Sequence, residues 1–185
     1  MKNAFLLLLA VLLWSCDTPR SYGPETPYYR FPADSRLVLN RTLEIPAGWA
    51  TVRLQYGKVV PFGHVSEQAP HCILEIDTVR PEPQRVEPDT FAIVKVTRSE
   101  STLAAASSGF FFFIGSVWAD ADRPVQMFYK TVFTLRSEKQ PGVRWLTCQS
   151  DQYAAGISMP EHLTVPEIRQ ALGDMFTLEL PATKM

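Results

Sequence analysis

The sequence predicts a mainly β domain, an antiparallel β-sandwich-like or partly open barrel, with one short C-terminal helix. Three observations carry this. Apolar and polar residues alternate with period two in segment after segment, and proline or glycine punctuates the connections. Only near the C-terminus does the period lengthen to that of a helix.

The alternation begins at Arg36. In "RLVLNRTLEI", Leu37, Leu39, Leu43 and Ile45 share one face, and "WATVRLQY" sets Ala50, Val52, Leu54 and Tyr56 against Thr51, Arg53 and Gln55. Pro46, Ala47 and Gly48 lie between them, so a hairpin is expected there. "CILEIDTV" alternates again, with Glu75 and Asp77 on its wet face. Residues 80–90 form a proline-rich connection before the strand "FAIVKVTR", and "SESTLAAASSG", residues 99–109, is small and polar enough for a mobile loop.

The run "FFFFIGSVW" has only nine residues, too few to span a bilayer, and is expected to be a strand buried on both faces. "VQMFYKTVFTLRS" places Val125, Met127, Tyr129, Thr131, Phe133 and Leu135 on one face, and "VRWLTCQS" is a further strand. "TVPEIRQAL" then changes period. Thr164 and Glu167 form a capping box, Pro166 stands in the tolerant first turn and Gly173 stops the helix, after which "MFTLEL" is a strand.

The N-terminus is of another kind. Lys2 precedes an uncharged apolar run from Ala4 to Leu13, the n- and h-regions of a secretory signal and about half the length of a membrane span. Leu13, Ser15 and Cys16 resemble the lipobox of bacterial lipoproteins, although Trp14 departs from the small or modest aliphatic residue usual at its place. The resemblance implies cleavage after Ser15 and a diacylglyceryl group on the Cys16 sulfur, anchoring the chain to membrane lipid. It divides the chain into a signal peptide (1–15), a lipidated cysteine with a proline-rich tether (16–35) and a single mostly-β domain (36–185). The implied location is the bacterial cell envelope, with the domain in the periplasm. Asp17 resembles the residue that retains many lipoproteins in the inner membrane. The downstream domain looks like uncharacterised proteobacterial lipoproteins and no characterised family, a likeness that supplies no catalytic residue.

Removing residues 1–15 leaves about 170 residues, enough for one domain, with a net charge of about −2. No basic excess exists to neutralise phosphates, so no nucleic-acid partner is expected. With Cys16 lipidated in an oxidising compartment, Cys72 and Cys148 remain, each within a strand-like segment. They are expected to form a disulfide closing a loop of some 77 residues; the alternatives are a metal site, against which neither cysteine has a second one nearby, and two reduced, buried cysteines.

Candidate chemistry is sparse, and no catalytic residue, metal site or cofactor is expected. No G-x-S-x-G, H-E-x-x-H or phosphate-binding loop occurs in the chain. His64 and His71 lie in "PFGHVSEQAPHC" with Ser66 and Glu67, which offers a base and a carboxylate to an envelope hydrolase or metal-dependent enzyme. Trp49, Trp118 and Trp145 are expected in the core rather than lining a ligand groove. The expected function is that of a membrane-anchored envelope lipoprotein acting as a binding or assembly module on an envelope protein partner. Docking of a partner strand on an open sheet edge is one form of it, and the hydrolase is the alternative.

Overall fold

The computed structural model describes residues 22–103, 126–153 and 161–181. Through them run β1 (Arg36–Leu39), β2 (Leu43–Ile45), β3 (Thr51–Gln55), β4 (Lys58–Val60), β5 (His71–Ile76), β6 (Gln84–Val86), β7 (Asp89–Leu103), β8 (Gln126–Arg136), β9 (Val143–Gln149), β10 (Asp151–Tyr153), α1 (Val165–Leu172) and β11 (Phe176–Glu179). One antiparallel sheet takes the order β11-β1-β7-β8-β9-β5-β3-β4, and β2 pairs with β6 in a separate ribbon. β10 continues β9 along β8 in the same register, Thr131 facing Cys148 and Phe128 facing Asp151.

The fold is mainly β, and the sheet curls into a half-barrel, the partly open form of the expected architecture. The reason lies in α1. Its buried residues Val165, Ile168, Ala171 and Leu172 pack inside the curl, touching β11 at one end of the sheet and β5 and β3 near the other. The strands face it with alternating apolar residues, among them Leu37, Leu39, Val52, Leu54, Leu74, Phe91, Phe133, Leu146, Phe176 and Leu178, and these form one core. Thr164 caps α1 through the expected box with Glu167, and the Val165 N–H donates to the Pro24 carbonyl.

Two glycines close the curl. The β3–β4 hairpin turns on Tyr56 and Gly57, both with positive φ, the geometry of a type I′ turn. Its Gly57 N–H donates to the Ala171 carbonyl at the end of α1. A Cβ on Gly173 would stand 2.5 Å from the Gly57 Cα, so only two bare backbones fit at this crossing.

Three expectations require correction. β2 and β3 do not form a hairpin: β2 pairs with β6, whereas β3 pairs with β4 and β5. The Pro46–Gly48 turn, whose Gly48 N–H donates to the Arg80 carbonyl, passes the chain from one sheet to the other. Residues 99–103, expected in a loop, extend β7, because β8 is long enough to pair them as far as Leu103 with Gln126. Trp49 and Trp145 lie outside the core: both are exposed, Trp145 from the convex side of β9. Trp118, the phenylalanine run 110–113 and the rest of the expected loop, residues 104–109, lie outside the described residues.

Residues 22–35, the larger part of the stretch expected as a tether (16–35), pack against the domain. Arg98 Nη2 donates to the Tyr29 carbonyl at 2.7 Å, and Phe31 meets Phe133 edge-on with ring centroids 4.9 Å apart. Among the described residues no helix is long and apolar enough to cross a membrane.

Candidate functional site

Cys16, the expected lipid attachment point, lies outside the described residues. Cys72 and Cys148 stand directly opposite one another on β5 and β9, fully buried, with their sulfurs joined and their Cα atoms 4.1 Å apart. The link ties neighbouring central strands on the concave face, each already buried in the core.

His64 and His71 do not share a cleft. His71 opens β5 on the convex face, in register with Gln149, yet it is only 1% exposed because the loop after β4 folds over it. Gln55 holds that loop by a reciprocal pair, Nε2 donating to the Ser66 carbonyl and Oε1 accepting from the Ser66 N–H. His71 Nδ1 lies 3.1 Å from the Ala69 carbonyl, which only accepts, so Nδ1 carries the proton. Nε2 is left to accept from the Gln149 amide at 3.2 Å, with Glu67 at 3.4 Å beside it. One ring nitrogen thus ties His71 to the loop and the other to Gln149 of β9. His64 is exposed on the same loop and joins no hydrogen bond or ion pair with His71 among the described residues. Nor does any group of three His, Cys, Asp or Glu among them suit a metal.

What the loop does position is Phe62. Its ring is 65% exposed and lies 5.4 Å from that of Trp49, itself 41% exposed, while the Arg53 guanidinium sits 4.6 Å above it. Arg53 projects from β3 opposite Val60 of β4. β4 ends the sheet: it pairs only with β3, and among the described residues no other backbone group binds Lys58–Val60. Val59 is 44% exposed on it. The opposite margin differs, since Arg169 reaches over β11 and donates to the Leu178 carbonyl. The open margin is thus the one flanked by aromatic and aliphatic side chains.

A second cluster occupies the concave face. β7 carries an extra residue at Val94, where its register on β8 shifts, and beyond it Val96, Arg98 and Glu100 pair with Phe133, Thr131 and Tyr129. His162 stands against Tyr129, ring centroids 5.4 Å apart. Burial holds the His162 imidazole below its ordinary value, helped by the charge of Arg98, while Glu100 and a hydrogen bond to the Lys130 backbone oppose the shift. Burial likewise lowers Arg98. No motif in the sequence marks Arg98 or His162. A basic residue four places past Val94 reads as solvent-facing unless the bulge is known.

Glu75 and Asp77 do not make a carboxylate pair. Glu75 is in β5, whereas Asp77 lies past the strand end, its Oδ1 accepting from Thr78. Comparison with known proteins finds no family model that matches the chain, no curated protein that matches it and no solved structure that matches it.

Proposed function

We propose that the chain is a lipid-anchored lipoprotein of the bacterial envelope that binds an envelope protein partner at the open margin of its sheet. The anchor is the acylated Cys16 implied by "LLWSC", and the observation that carries binding is the unpaired β4 edge beside the exposed Trp49 and Phe62. An extended partner segment would gain main-chain hydrogen bonds from Lys58–Val60, and its side chains would meet Val59 on one side and Phe62 on the other. Aromatic residues and arginine, the types gathered here, dominate the binding energy of interfaces.

The packing of residues 22–35 sharpens the arrangement. Six residue-to-residue steps lead from Cys16 to Tyr22, a reach of about 20 Å fully extended. A lipid on Cys16 therefore holds the domain close to the bilayer, where a tether of the whole stretch 17–35 would reach about 60 Å.

Mass spectrometry of the N-terminus of the protein extracted from membranes tests the anchor: a diacylglyceryl cysteine is expected, and a free thiol at Cys16 or cleavage elsewhere refutes it. A photo-crosslinking residue at Phe62 tests the surface. One discrete protein adduct is expected there and none from the same residue at Lys95, across the sheet. Equal labelling at both positions removes the margin from the reading.

A further inference from the structure

Among the described residues, three buried side-chain polar atoms have no hydrogen-bond partner: Arg98 Nε, Thr131 Oγ1 and His162 Nδ1. All three belong to the concave cluster. Arg98 and Thr131 are cross-strand partners on β7 and β8, and His162 lies within the electrostatic reach of Arg98 and against Tyr129, two residues from Thr131. Buried polar atoms are nearly always satisfied, so three orphans on adjoining residues point to an occupant.

Charge selects what kind. Arg98 is half-buried, and among the described residues no carboxylate lies within ion-pair distance of it. Its one hydrogen-bonded arm, Nη2, goes to the neutral Tyr29 carbonyl. A water could satisfy three polar atoms, but it would leave the guanidinium charge uncompensated in a partly buried place. An anion satisfies both. One cation and the nearby Glu100 suit a single negative charge better than two, and the aromatic rings of Tyr129, Phe31 and Phe133 line the same concave region.

We propose that Arg98, Thr131 and His162 form a binding site for the carboxylate group of a small, partly apolar ligand. Arg98 Nε–H and the Thr131 hydroxyl donate to the carboxylate oxygens. His162 takes part through its proton. The Lys130 backbone holds one ring nitrogen, which leaves Nδ1 of the neutral ring as a bare acceptor that repels an anion. Binding therefore draws a proton from solvent onto His162, after which Nδ1–H donates to the ligand. The charged and titratable groups around it are Arg98, Glu100, Tyr129 and the neighbouring Glu161. Because binding is coupled to proton uptake by His162, affinity weakens as pH rises.

The test is calorimetric titration of the full chain with benzoate, acetate and inorganic phosphate, in two buffers of different ionisation enthalpy. Benzoate is expected to bind once per chain, acetate more weakly, and the heat is expected to vary with the buffer because a proton is taken up. Arg98→Gln and Thr131→Val should each weaken benzoate binding by about tenfold or more, as charge-assisted hydrogen bonds are lost. His162→Gln should abolish the buffer dependence. Thr131→Val removes only a hydroxyl, so it decides the matter even where Arg98→Gln fails to fold. Absence of saturable benzoate binding by the wild-type chain overturns the site. Unchanged affinity in a folded Thr131→Val or Arg98→Gln variant overturns it too, and phosphate binding more tightly than benzoate overturns the choice of a carboxylate.

Discussion

Replacing Gly173 with alanine isolates the contact that closes the curled sheet. Gly173 has φ 53° and ψ −135°, a region that side-chain-bearing residues scarcely enter, and occupying it costs about 1–3 kcal/mol. The new Cβ would also stand 2.5 Å from the Gly57 Cα and 2.8 Å from its nitrogen. Those neighbours are backbone and cannot rotate away, so the crossing must open, at about the 1–3 kcal/mol of an overpacked core. Opening it stretches the hydrogen bond from the Gly57 N–H to the Ala171 carbonyl, now 3.0 Å. The expected loss is about 4 kcal/mol, or about 8–16 °C in Tm for a domain of this size. Gly48→Ala is the control. Gly48 also has positive φ, at 78°, but a Cβ there meets nothing within 4 Å, so only the backbone cost of about 1–2 kcal/mol applies. Urea denaturation of both variants measures the difference. Equal losses would show that Gly57 and Gly173 merely pass one another and do not clasp the sheet.

Three further outcomes are expected of the disulfide, Asp89 and the helix cap. Cys72→Ala with Cys148→Ala is expected to cost about 2–5 kcal/mol in denaturant titrations, and since both cysteines are fully buried, thiol probes must be applied to unfolded, non-reduced protein. Two reactive thiols under those conditions would remove the disulfide. Burial opposes ionisation of Asp89, but hydrogen bonds from Ser137, the Thr90 N–H and Gln140, aided by Lys139, outweigh it and hold the carboxyl below its ordinary value of 3.8. A lowered carboxyl stabilises the fold at pH above that value and loses this contribution as pH falls through its folded one. The stability gap between wild type and Asp89→Asn should therefore be constant near neutrality and shrink below about pH 4, and a gap independent of pH would defeat the assignment. Thr164→Ala, which removes the side-chain half of the capping box and leaves the Thr164 N–H donating to Glu167, should cost about 0.5–2 kcal/mol by thermal melting, whereas no loss would mean that this remaining half and the Pro24 carbonyl suffice to start the helix.

Much of the fold was legible because burial imposes a period. Leu37 and Leu39, Val52 and Leu54, Phe133 and Leu135, and Phe176 and Leu178 alternate along their strands, and every one is buried. The helix was legible down to its Thr164–Glu167 box, since capping is decided within four residues. Pairing was not legible at the same level. Leu43 and Ile45 continue the alternation of β1, yet they leave its sheet for β6, because periodicity fixes which face is apolar and says nothing about which strand lies alongside. The true hairpin at Tyr56 and Gly57 hid behind a tyrosine at positive φ, a place where asparagine or glycine is the usual signal. The exposed rings misled for a related reason. Trp49 and Trp145 sit in or beside strands and are large and apolar, but a half-barrel has a convex face, and an aromatic side chain fits either side of the sheet.

The concave cluster escaped the sequence for the most local of these reasons, a single residue. Counting in twos from the buried Phe91 and Ile93 assigns Lys95 and Thr97 to the interior and Arg98 to solvent. That assignment fails at Val94, which is 55% exposed and falls where the register of β7 on β8 shifts by one. The extra residue reverses the phase of the rest of the strand, so Lys95 and Thr97 face out while Val96, Arg98 and Glu100 face in. A bulge has no composition that marks it, and a β-branched residue such as valine is at home in a regular strand. Its effect is to keep Lys95 and Thr97 out of the interior and to deliver Val96 and a guanidinium to the inside of the sheet in their place. Thr131 joins the cluster by the opposite route, as a fully buried hydroxyl between Tyr129 and Phe133 on an unbroken face of β8. Two strands, one out of phase and one in phase, thus bring a cation and a hydroxyl together where uninterrupted alternation would have placed them on opposite sides.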